Sequence, residues 1–372
     1  MTAVADTAGD RLTAGDGLTA RDRLALYRPD LTQVLSAADA PHYRYAQVYE
    51  HLMRRPEAPL SAASNLPLAL RTALEEAGSC SLTLEKRRED AEGTTKVLLT
   101  ARDGAQIEAV AMRYNRRVTV CLSTQVGCSL GCTFCSTGAM GFARDLTVAE
   151  IVDQVRLFIP LLREESREIT NIVFMGMGEP LLNLDAVLAA IRLLKDPDGL
   201  GFAQRSLSVS TIGIPAGIRR LAREEPQVNL AISLHAPNDE LRTRLIPANR
   251  RFPLSEVLTA ADDHFAVTHR KLFVEYILLE GVNDTRRHAE ALARLLRGRV
   301  LTVNLIPWNP GCGDYEPSQP ETANAFRDTL QTRGLEATLR LGRGRAIAAG
   351  CGQLATKTAA RGGAKRRTRR PT

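Results

Sequence analysis

The sequence predicts an α/β fold: a partial (β/α)6 barrel of the TIM type, preceded by a small accessory domain of helices and strands and followed by a basic disordered tail. Three observations carry this. Six short β-rich runs, RVTVCLS, NIVFMG, SLSVST, VNLAISL, KLFVEYILL and RVLTVNLIP, succeed one another between residues 117 and 307, and helical stretches follow most of them. Repeated β-α units build a parallel sheet covered by helices. Six units are too few for a closed eight-fold barrel, so the sheet stays open, with its site at the C-terminal ends of the strands. Second, residues 29–79 carry apolar side chains at helical spacing and residues 81–120 alternate like strands. Third, 372 residues with 44% hydrophobic content suffice for one large core plus an appended unit.

In chain order, residues 1–28 are short of large apolar side chains and read as disordered. Residues 29–115 form the accessory domain. LTQVLSAADAP, YRYAQVYEHLMRR and LPLALRTALEEAG are its helices; SLTLEKRRED and KVLLTARDGAQIEAVAMR are its strands, with turns at Ala91–Gly93 and Asp103–Gly104. Residues 116–354 form the barrel. Its first long helix opens at Val148 behind Thr147 and Glu150, a capping-box spacing that satisfies orphan N–H groups. Further helices are expected near 184–194, 216–223, 254–265 and 286–297.

The tail, 355–372, holds Lys357, Arg361, Lys365, Arg366, Arg367, Arg369 and Arg370 and no acidic residue. Removing these seven from the chain's 49 basic residues leaves 42, against 42 acidic ones. The positive excess therefore sits in the tail, which is too polar to fold alone and suits a phosphate backbone. A merely solubilising end would look the same. No stretch approaches the roughly 20 apolar residues of a membrane helix. The first residues have no apolar core of a signal peptide, so a cytoplasmic location is expected.

The seven cysteines are Cys80, Cys121, Cys128, Cys132, Cys135, Cys312 and Cys351. An odd number in a cytosolic chain argues against a disulfide framework. Cys128, Cys132 and Cys135 have the spacing C-x3-C-x2-C. Three core cysteines on one helical stripe would share it. However, Gly127, Gly131 and Gly138 punctuate the run, and helix interiors avoid glycine. A glycine-rich loop with three thiolates can wrap a metal centre. Catalytic zinc keeps three protein ligands and one open position. A cubic iron–sulfur cluster takes one cysteine per iron, so three leave one iron free. The spacing alone does not separate zinc from iron.

C-x3-C-x2-C after the first barrel strand resembles the radical S-adenosylmethionine (SAM) superfamily, in which the free iron of a 4Fe-4S cluster chelates SAM. NIVFMGMGEPLLN resembles that superfamily's GEP motif. With VCLSTQVGC, SVSTIG, LAISLHAPNDELR, VNLIPWNP and AAGCGQLA, in this order, the chain resembles the RlmN/Cfr family of radical SAM RNA adenosine methyltransferases from about Leu31 to Leu354. The resemblance implies a 4Fe-4S cluster on Cys128, Cys132 and Cys135. It implies SAM contacts from Gly178, Glu179, Ser210, Ser233, Leu234, His235 and Asn309. It also implies Cys351 as the S-methylcysteine, Cys121 as the resolving cysteine in a transient disulfide with it, and Glu108 as proton acceptor. A ring carbon bearing only hydrogen is a poor nucleophile. The family therefore methylates a cysteine with one SAM, turns that methyl into a radical with a second, adds it to the ring, and releases the product by thiol–disulfide chemistry.

The implied substrate is 23S ribosomal RNA, with transfer RNA as a second. Carbon 2 of the adenine is favoured as the commoner activity in the family, with a slight further leaning from Trp308-Asn309, and carbon 8 is the alternative. The implied electron donor is a flavodoxin or ferredoxin, and the implied state is a monomer. Two departures stand out: Arg343-Gly344-Arg345-Ala346 where the family has an acidic pair, and Asp145 where it commonly has Asn. Two other classes compete with this reading: a zinc-stabilised RNA-binding protein, and a radical SAM enzyme acting on a protein or small molecule. Cys80 and Cys312 match no implied role.

Deleting residues 355–372 should weaken RNA binding and leave the metal site intact. The salt dependence of binding should flatten by roughly 0.7–0.9 in log–log slope for each lost phosphate contact. An unchanged slope in a salt titration would make the tail a solubilising end.

Overall fold

The computed structural model describes residues 18–340 and 342–354. The expected disordered stretch up to residue 17 and the basic tail 355–372 lie outside the described residues. The chain opens with four helices, α1 (Ala20–Tyr27), α2 (Pro29–Ala37), α3 (His42–Arg54) and α4 (Leu68–Ala77). Strands β1 (Leu82–Glu89), β2 (Thr94–Ala101) and β3 (Gln106–Arg113) follow as an antiparallel meander. Strand β4 (Val118–Cys121) pairs antiparallel with β3 and begins the parallel series. A ribbon of β5 (Gln125–Gly127) and β6 (Phe142–Asp145) encloses the short helix α5 (Ser136–Ala139). The alternation then runs α6 (Val148–Arg163), β7 (Asn171–Phe174), α7 (Leu184–Lys195), β8 (Leu207–Thr211), α8 (Pro215–Glu224) and β9 (Asn229–Ser233). It continues through α9 (Asp239–Leu245), α10 (Leu254–Thr268), β10 (Leu272–Leu278), α11 (Arg286–Leu296), β11 (Leu301–Pro307), α12 (Pro320–Thr332) and β12 (Glu336–Leu339).

The six predicted barrel strands are β4, β7, β8, β9, β10 and β11, all parallel, and β12 adds a seventh parallel strand on β11. The ten-stranded sheet runs β1-β2-β3-β4-β7-β8-β9-β10-β11-β12. The accessory strands are thus hydrogen-bonded extensions of the barrel sheet, through the register Val110↔Cys121. Each barrel strand turns one row of apolar side chains outward, including Val120, Ile172, Val209, Leu230, Val274 and Val303, all buried. The alternate row faces the barrel interior and is more polar: Ser210, Ser233, Glu275 and Asn304. That alternation is the period of a strand with two different neighbours. No helix among the described residues is long and apolar enough to cross a membrane.

The reading of residues 1–28 as disordered is corrected from residue 18 onward. α1 has a complete capping box between Thr19 and Asp22, and Leu24 and Tyr27 are buried. Two large apolar residues suffice because they join an existing core instead of building their own. The Tyr27 hydroxyl donates to Asp153 on α6, and the Arg156 guanidinium donates to the Tyr27 oxygen at 2.6 Å. Arg156 also donates to the carbonyls of Leu52 at 2.8 Å and Ser79 at 3.0 Å. The other carboxylate oxygen of Asp153 accepts from Ser81 N and Oγ, both at 2.6 Å. This buried Asp153–Arg156 pair bolts the accessory helices to the first barrel helix. Helix α6 itself begins at the predicted capping box, with Thr147 and Glu150 bonded reciprocally.

Asp153→Ala should lower stability by about 3–5 kcal/mol, because it strands a buried guanidinium. Replacing Asp153 and Arg156 together with leucine should cost less than the single change. Denaturant midpoints of the three proteins check the order.

Candidate active site

The C-terminal ends of the parallel strands open on one cavity. Its wall includes Cys121, Cys128, Cys132, Cys135, Gly178, Glu179, Ser210, Ser233, His235, Asn309 and Cys351. Residues that are 230 positions apart in sequence, Cys121 and Cys351, therefore share a wall with the C-x3-C-x2-C run. Leu234 and Glu108 do not line it. Leu234 is fully buried and gives its backbone N–H to Glu275 O at 3.0 Å. Glu108 lies on β3, two residues before Val110 and four before Met112, which do line the cavity. Its carboxylate pairs with Lys96 Nζ at 2.8 Å.

The cysteine run is a loop, not a helical stripe: residues 128–135 connect β5 to α5. Gly127 has φ 75°, and a Cβ there would stand 1.9 Å from the Gly141 carbonyl oxygen. Only glycine lets the ribbon close there and start the loop. Burial pushes the Cys128 thiol up to about 12 and Cys132 well above its ordinary value. Thiols so enclosed stay protonated unless a positive centre sits among them. Among the described residues no three His, Cys, Asp or Glu side chains stand close enough to hold a single metal ion. Three cysteines on one loop of the cavity wall are a donor set that fits a cluster taking one cysteine per iron.

Beside the cysteine loop, Gly178 has φ 99°, and a Cβ would meet Gln125 Cβ at 2.5 Å. The Glu179 N–H donates to Gln125 Oε1 at 2.8 Å, and Gln125 Nε2 donates to Asp145 at 2.7 Å. Asp145, the departure from the usual Asn, accepts the amide donor and so fixes which way Gln125 points. The Glu179 carboxylate accepts backbone N–H groups of Leu181 at 3.1 Å and Ile212 at 3.0 Å. Burial raises it to about 7, against the pull of those bonds. A buried carboxylate held this way is shaped for an ammonium group.

On the next strands Ser210 Oγ and Ser233 Oγ lie 3.3 Å apart. His235 has φ 59° and accepts the Ile277 N–H on Nδ1 at 3.0 Å. Burial lowers its pKa to about 3, so the ring is neutral and Nε2 carries the hydrogen. It serves as both core residue and wall, edge-on to Phe134 with centroids 5.0 Å apart.

Cys351 sits on a strap, residues 342–354, without strand or helix beyond one 3-10 turn. Asn309 Nδ2 donates to Cys351 O at 3.4 Å, and Arg345 Nε donates to Asn309 Oδ1 at 2.7 Å. Gln353 bridges Gly350 N at 2.9 Å and Pro310 O at 2.7 Å. A Cβ on Gly350 would lie 2.5 Å from Asn309 Nδ2, so this contact needs glycine. Cys351 is exposed as a residue, but desolvation around its sulfur raises the thiol, while Arg340 draws it down and Glu275 pushes it up again. Burial also raises Cys121, with the charge of Cys351 adding to it.

Several residues at the site were not singled out from the sequence. Arg242 is fully buried and donates to the carbonyls of Leu234 at 3.1 Å, Phe252 at 3.2 Å and Ser233 at 3.3 Å, and also to Ile212 O. It ties the loops after β8 and β9 together. Glu275 accepts from Asn304 at 2.8 Å, and its second carboxylate oxygen is buried without a hydrogen-bond partner. A charged residue inside an apolar parallel strand was the available signal. Trp308 is not part of the cavity wall and donates to Phe134 O at 3.1 Å, bracing the cysteine loop. Cys312 Sγ approaches Thr133 O at 3.7 Å and braces the same loop. Cys80 is raised to about 12, chiefly by burial, beside Asp153.

The comparisons agree with this geometry. Residues 122–296 match the Radical SAM superfamily. A protein of Parafrankia sp. (strain EAN1pec), named "Probable dual-specificity RNA methyltransferase RlmN", is 44% identical over 360 residues, covering 92% of this chain and 93% of that protein. The "Ribosomal RNA large subunit methyltransferase N" of Nitrosopumilus maritimus (strain SCM1) is 41% identical over 324 residues, 84% of this chain and 92% of that protein. A crystal structure of a radical SAM methyltransferase from Sphaerobacter thermophilus superposes with a TM-score of 0.85 at 44% identity, over 88% of this chain and 96% of that one. Radical SAM enzymes use a 4Fe-4S cluster and SAM, and the cavity carries the residues for both. With that identity sustained along nearly the whole chain, the protein belongs to the RlmN family of radical SAM RNA methyltransferases.

Proposed function

We propose that the chain transfers a methyl group from SAM, by way of Cys351, to an adenosine ring carbon. Carbon 2 is the favoured position and carbon 8 the second reading. The substrates on this reading are 23S ribosomal RNA and transfer RNA. One observation carries it: Cys121 and Cys351 line the same cavity as the three cluster cysteines. A zinc-stabilised binding protein, or a radical enzyme for small molecules, has no use for two further thiols there. The relatives named as dual-specificity and large-subunit ribosomal RNA methyltransferases support the substrates. Trp308 supports neither ring position, since it does not line the cavity.

A cluster on Cys128, Cys132 and Cys135, when bound with SAM, supplies the hydrogen-abstracting radical. The residues of the chain do the rest. Gly178, Glu179, Ser210, Ser233, His235 and Asn309 seat SAM, with the backbone of Leu234 completing the β9 end. Cys351 carries the methyl group and then holds the RNA covalently. Glu108 accepts the ring proton. The Cys121 thiolate attacks the Cys351 sulfur; the S–S bond forms as the C–S bond to the base breaks, and its electron pair goes to the departing carbon, which takes a proton.

RNA reaches the cavity past Tyr114, which lines it and is stacked between Arg117 at 4.3 Å and Arg343 at 4.4 Å. Aromatic and guanidinium faces of this kind stack on unpaired bases. Residues 29–115 are the RNA-binding accessory domain on this reading, with the basic tail adding phosphate contacts. A flavodoxin or ferredoxin supplies electrons, and the protein works as a monomer in the cytoplasm.

Replacing Cys128, Cys132 or Cys135 with alanine should abolish cluster content and SAM cleavage, read by iron analysis and by 5′-deoxyadenosine release. Cys121→Ala should keep the cluster, load Cys351 and attack RNA, yet fail to release it. The protein should then migrate with nuclease-sensitive RNA attached through Cys351 on a denaturing gel. Cys351→Ala, and the double variant, should carry no RNA and methylate none. Methylation by Cys351→Ala would end the two-cysteine reading.

A further inference from the structure

Lys96 lies on β2, directly opposite Val110 of β3, so its side chain shares a sheet face with Val110 and with Glu108 two residues earlier. It is 8% exposed, and Glu108 is 7% exposed. A buried ammonium between strands needs a reason, because lysine is rarely enclosed without partners. It has two. Nζ stands 2.8 Å from Glu108 Oε1 and donates to the carbonyl of Ala348 at 2.9 Å. Ala348 has φ 53°, a left-handed conformation for a residue with a side chain, and stands three residues before Cys351 on the strap. Asn309, Arg345 and Gln353 tie the strap to the β11 side of the barrel, and Ser136 and Thr137 tie its end to α5. Arg343 ties it to the carbonyls of Glu92 and Arg113 at 2.8 and 2.6 Å, and Lys96 reaches it from the accessory sheet at Ala348.

We infer that Lys96 is a positioning residue that holds the Glu108 carboxylate in register with the Cys351 strap, so that proton acceptor and methyl carrier meet the same base. This rests on the proposed roles of Glu108 and Cys351. Geometry supplies the argument. Glu108 is on a sheet strand and Cys351 is on a strap, and one ammonium makes a charge-assisted bond to each side. An ammonium has donors for both and a stem long enough to cross between them. A misplacement of an acceptor by about 1 Å can cost about a hundredfold in rate. The strap has no strand pairing to hold it; on this side it is held by Arg343 at its start and by Lys96 three residues before Cys351. Removing the ammonium would also leave the buried carboxylate facing an apolar side chain.

The test compares Lys96→Met, Lys96→Arg and Glu108→Gln with the full-length holoenzyme, on an RNA fragment that the wild-type protein methylates. Three quantities are read: iron content, methyl groups on Cys351, and the split between released methylated RNA and RNA trapped on the protein. Lys96→Met should keep the cluster and methylated Cys351, lose about a hundredfold in released product, and accumulate trapped RNA. Lys96→Arg should recover most of the release, since a guanidinium can make both contacts. Loss of iron or of Cys351 methylation in Lys96→Met would reduce the residue to a structural support and overturn the inference, as would failure of arginine to rescue. If Glu108→Gln traps RNA while Lys96→Met releases product normally, the inference alone fails. If Glu108→Gln itself releases product normally, the proton-acceptor reading fails, and the inference falls with it.

Discussion

The backbone N–H of Ser136 donates to the carbonyl of Gly352 at 2.7 Å, and the Thr137 hydroxyl donates to the carbonyl of Leu354 at 2.6 Å. These two bonds dock the strap on the first turn after the cysteine loop. They join the residues just after Cys351 directly to the end of the C-x3-C-x2-C run, some 220 residues earlier in the chain. Everything else at the site presupposes this closure. The Gly311 Cα lies under Ser136, where a Cβ would come within 2.6 Å of its Oγ, so the loop after β11 is packed into the same junction. Trp308 and Cys312 brace the cysteine loop from that side. The cavity is therefore walled by three irregular segments that hold one another, on a sheet that holds each at its base.

Below that wall runs a polar row across the barrel interior. Ser210 on β8 meets Ser233 on β9. Glu275 on β10 is in register with Ser233 and accepts from Asn304 on β11, whose side-chain oxygen accepts from Thr338 on β12 at 3.0 Å. A strand buried on both faces is ordinarily a continuous apolar run. Here each strand gives up one interior position to a polar side chain at the same level. Hydrogen bonds join Ser210 to Ser233 and link Glu275, Asn304 and Thr338, while the second oxygen of Glu275 stays without a hydrogen-bond partner. Arg340 lies 3.5 Å from the first oxygen and supplies charge near both Cys121 and Cys351. The row thus combines a support for the barrel with the polar floor of the cavity.

Much of this was legible in the sequence, and the failures have physical causes. The six barrel strands were visible because each is a short apolar run with β-branched residues, and helical stretches follow most of them. β12 was not, since EATL is four residues with only Ala337 well buried, and it exists because β11 offers an edge. The β5–β6 ribbon was hidden because it flanks the cysteine motif, where glycines read as loop. α1 was missed because its stability comes from Asp153 and Arg156, more than a hundred residues away. At the site, residues on motifs were found and residues between motifs were not. Glu275 and Asn304 left a trace, as polar breaks in LFVEYILL and LTVNLIP at paired positions. Lys96 left none, because a lysine on a meander strand is ordinarily solvent-facing, and only the returning strap covers it.

The basic residues of the strap explain themselves through what they touch. Arg343 stacks on Tyr114 and donates to two carbonyls at the end of the β2–β3 pair, and Arg345 donates to the side-chain oxygen of Asn309. Each of these partners is an acceptor or a π-face, so carboxylates in the same places would meet like poles instead. The exchange of an acidic pair for a basic one therefore fits a strap anchored to carbonyl oxygens. It leaves the thiol chemistry in place, because none of those contacts is made by Cys351 itself. It does change the field at the mouth, where Arg343 and Arg117 flank an aromatic ring on the route to the cavity. On the proposed route a polyanion would meet the charge of Arg343, which two backbone carbonyls hold in place, and little side-chain ordering would be needed on binding.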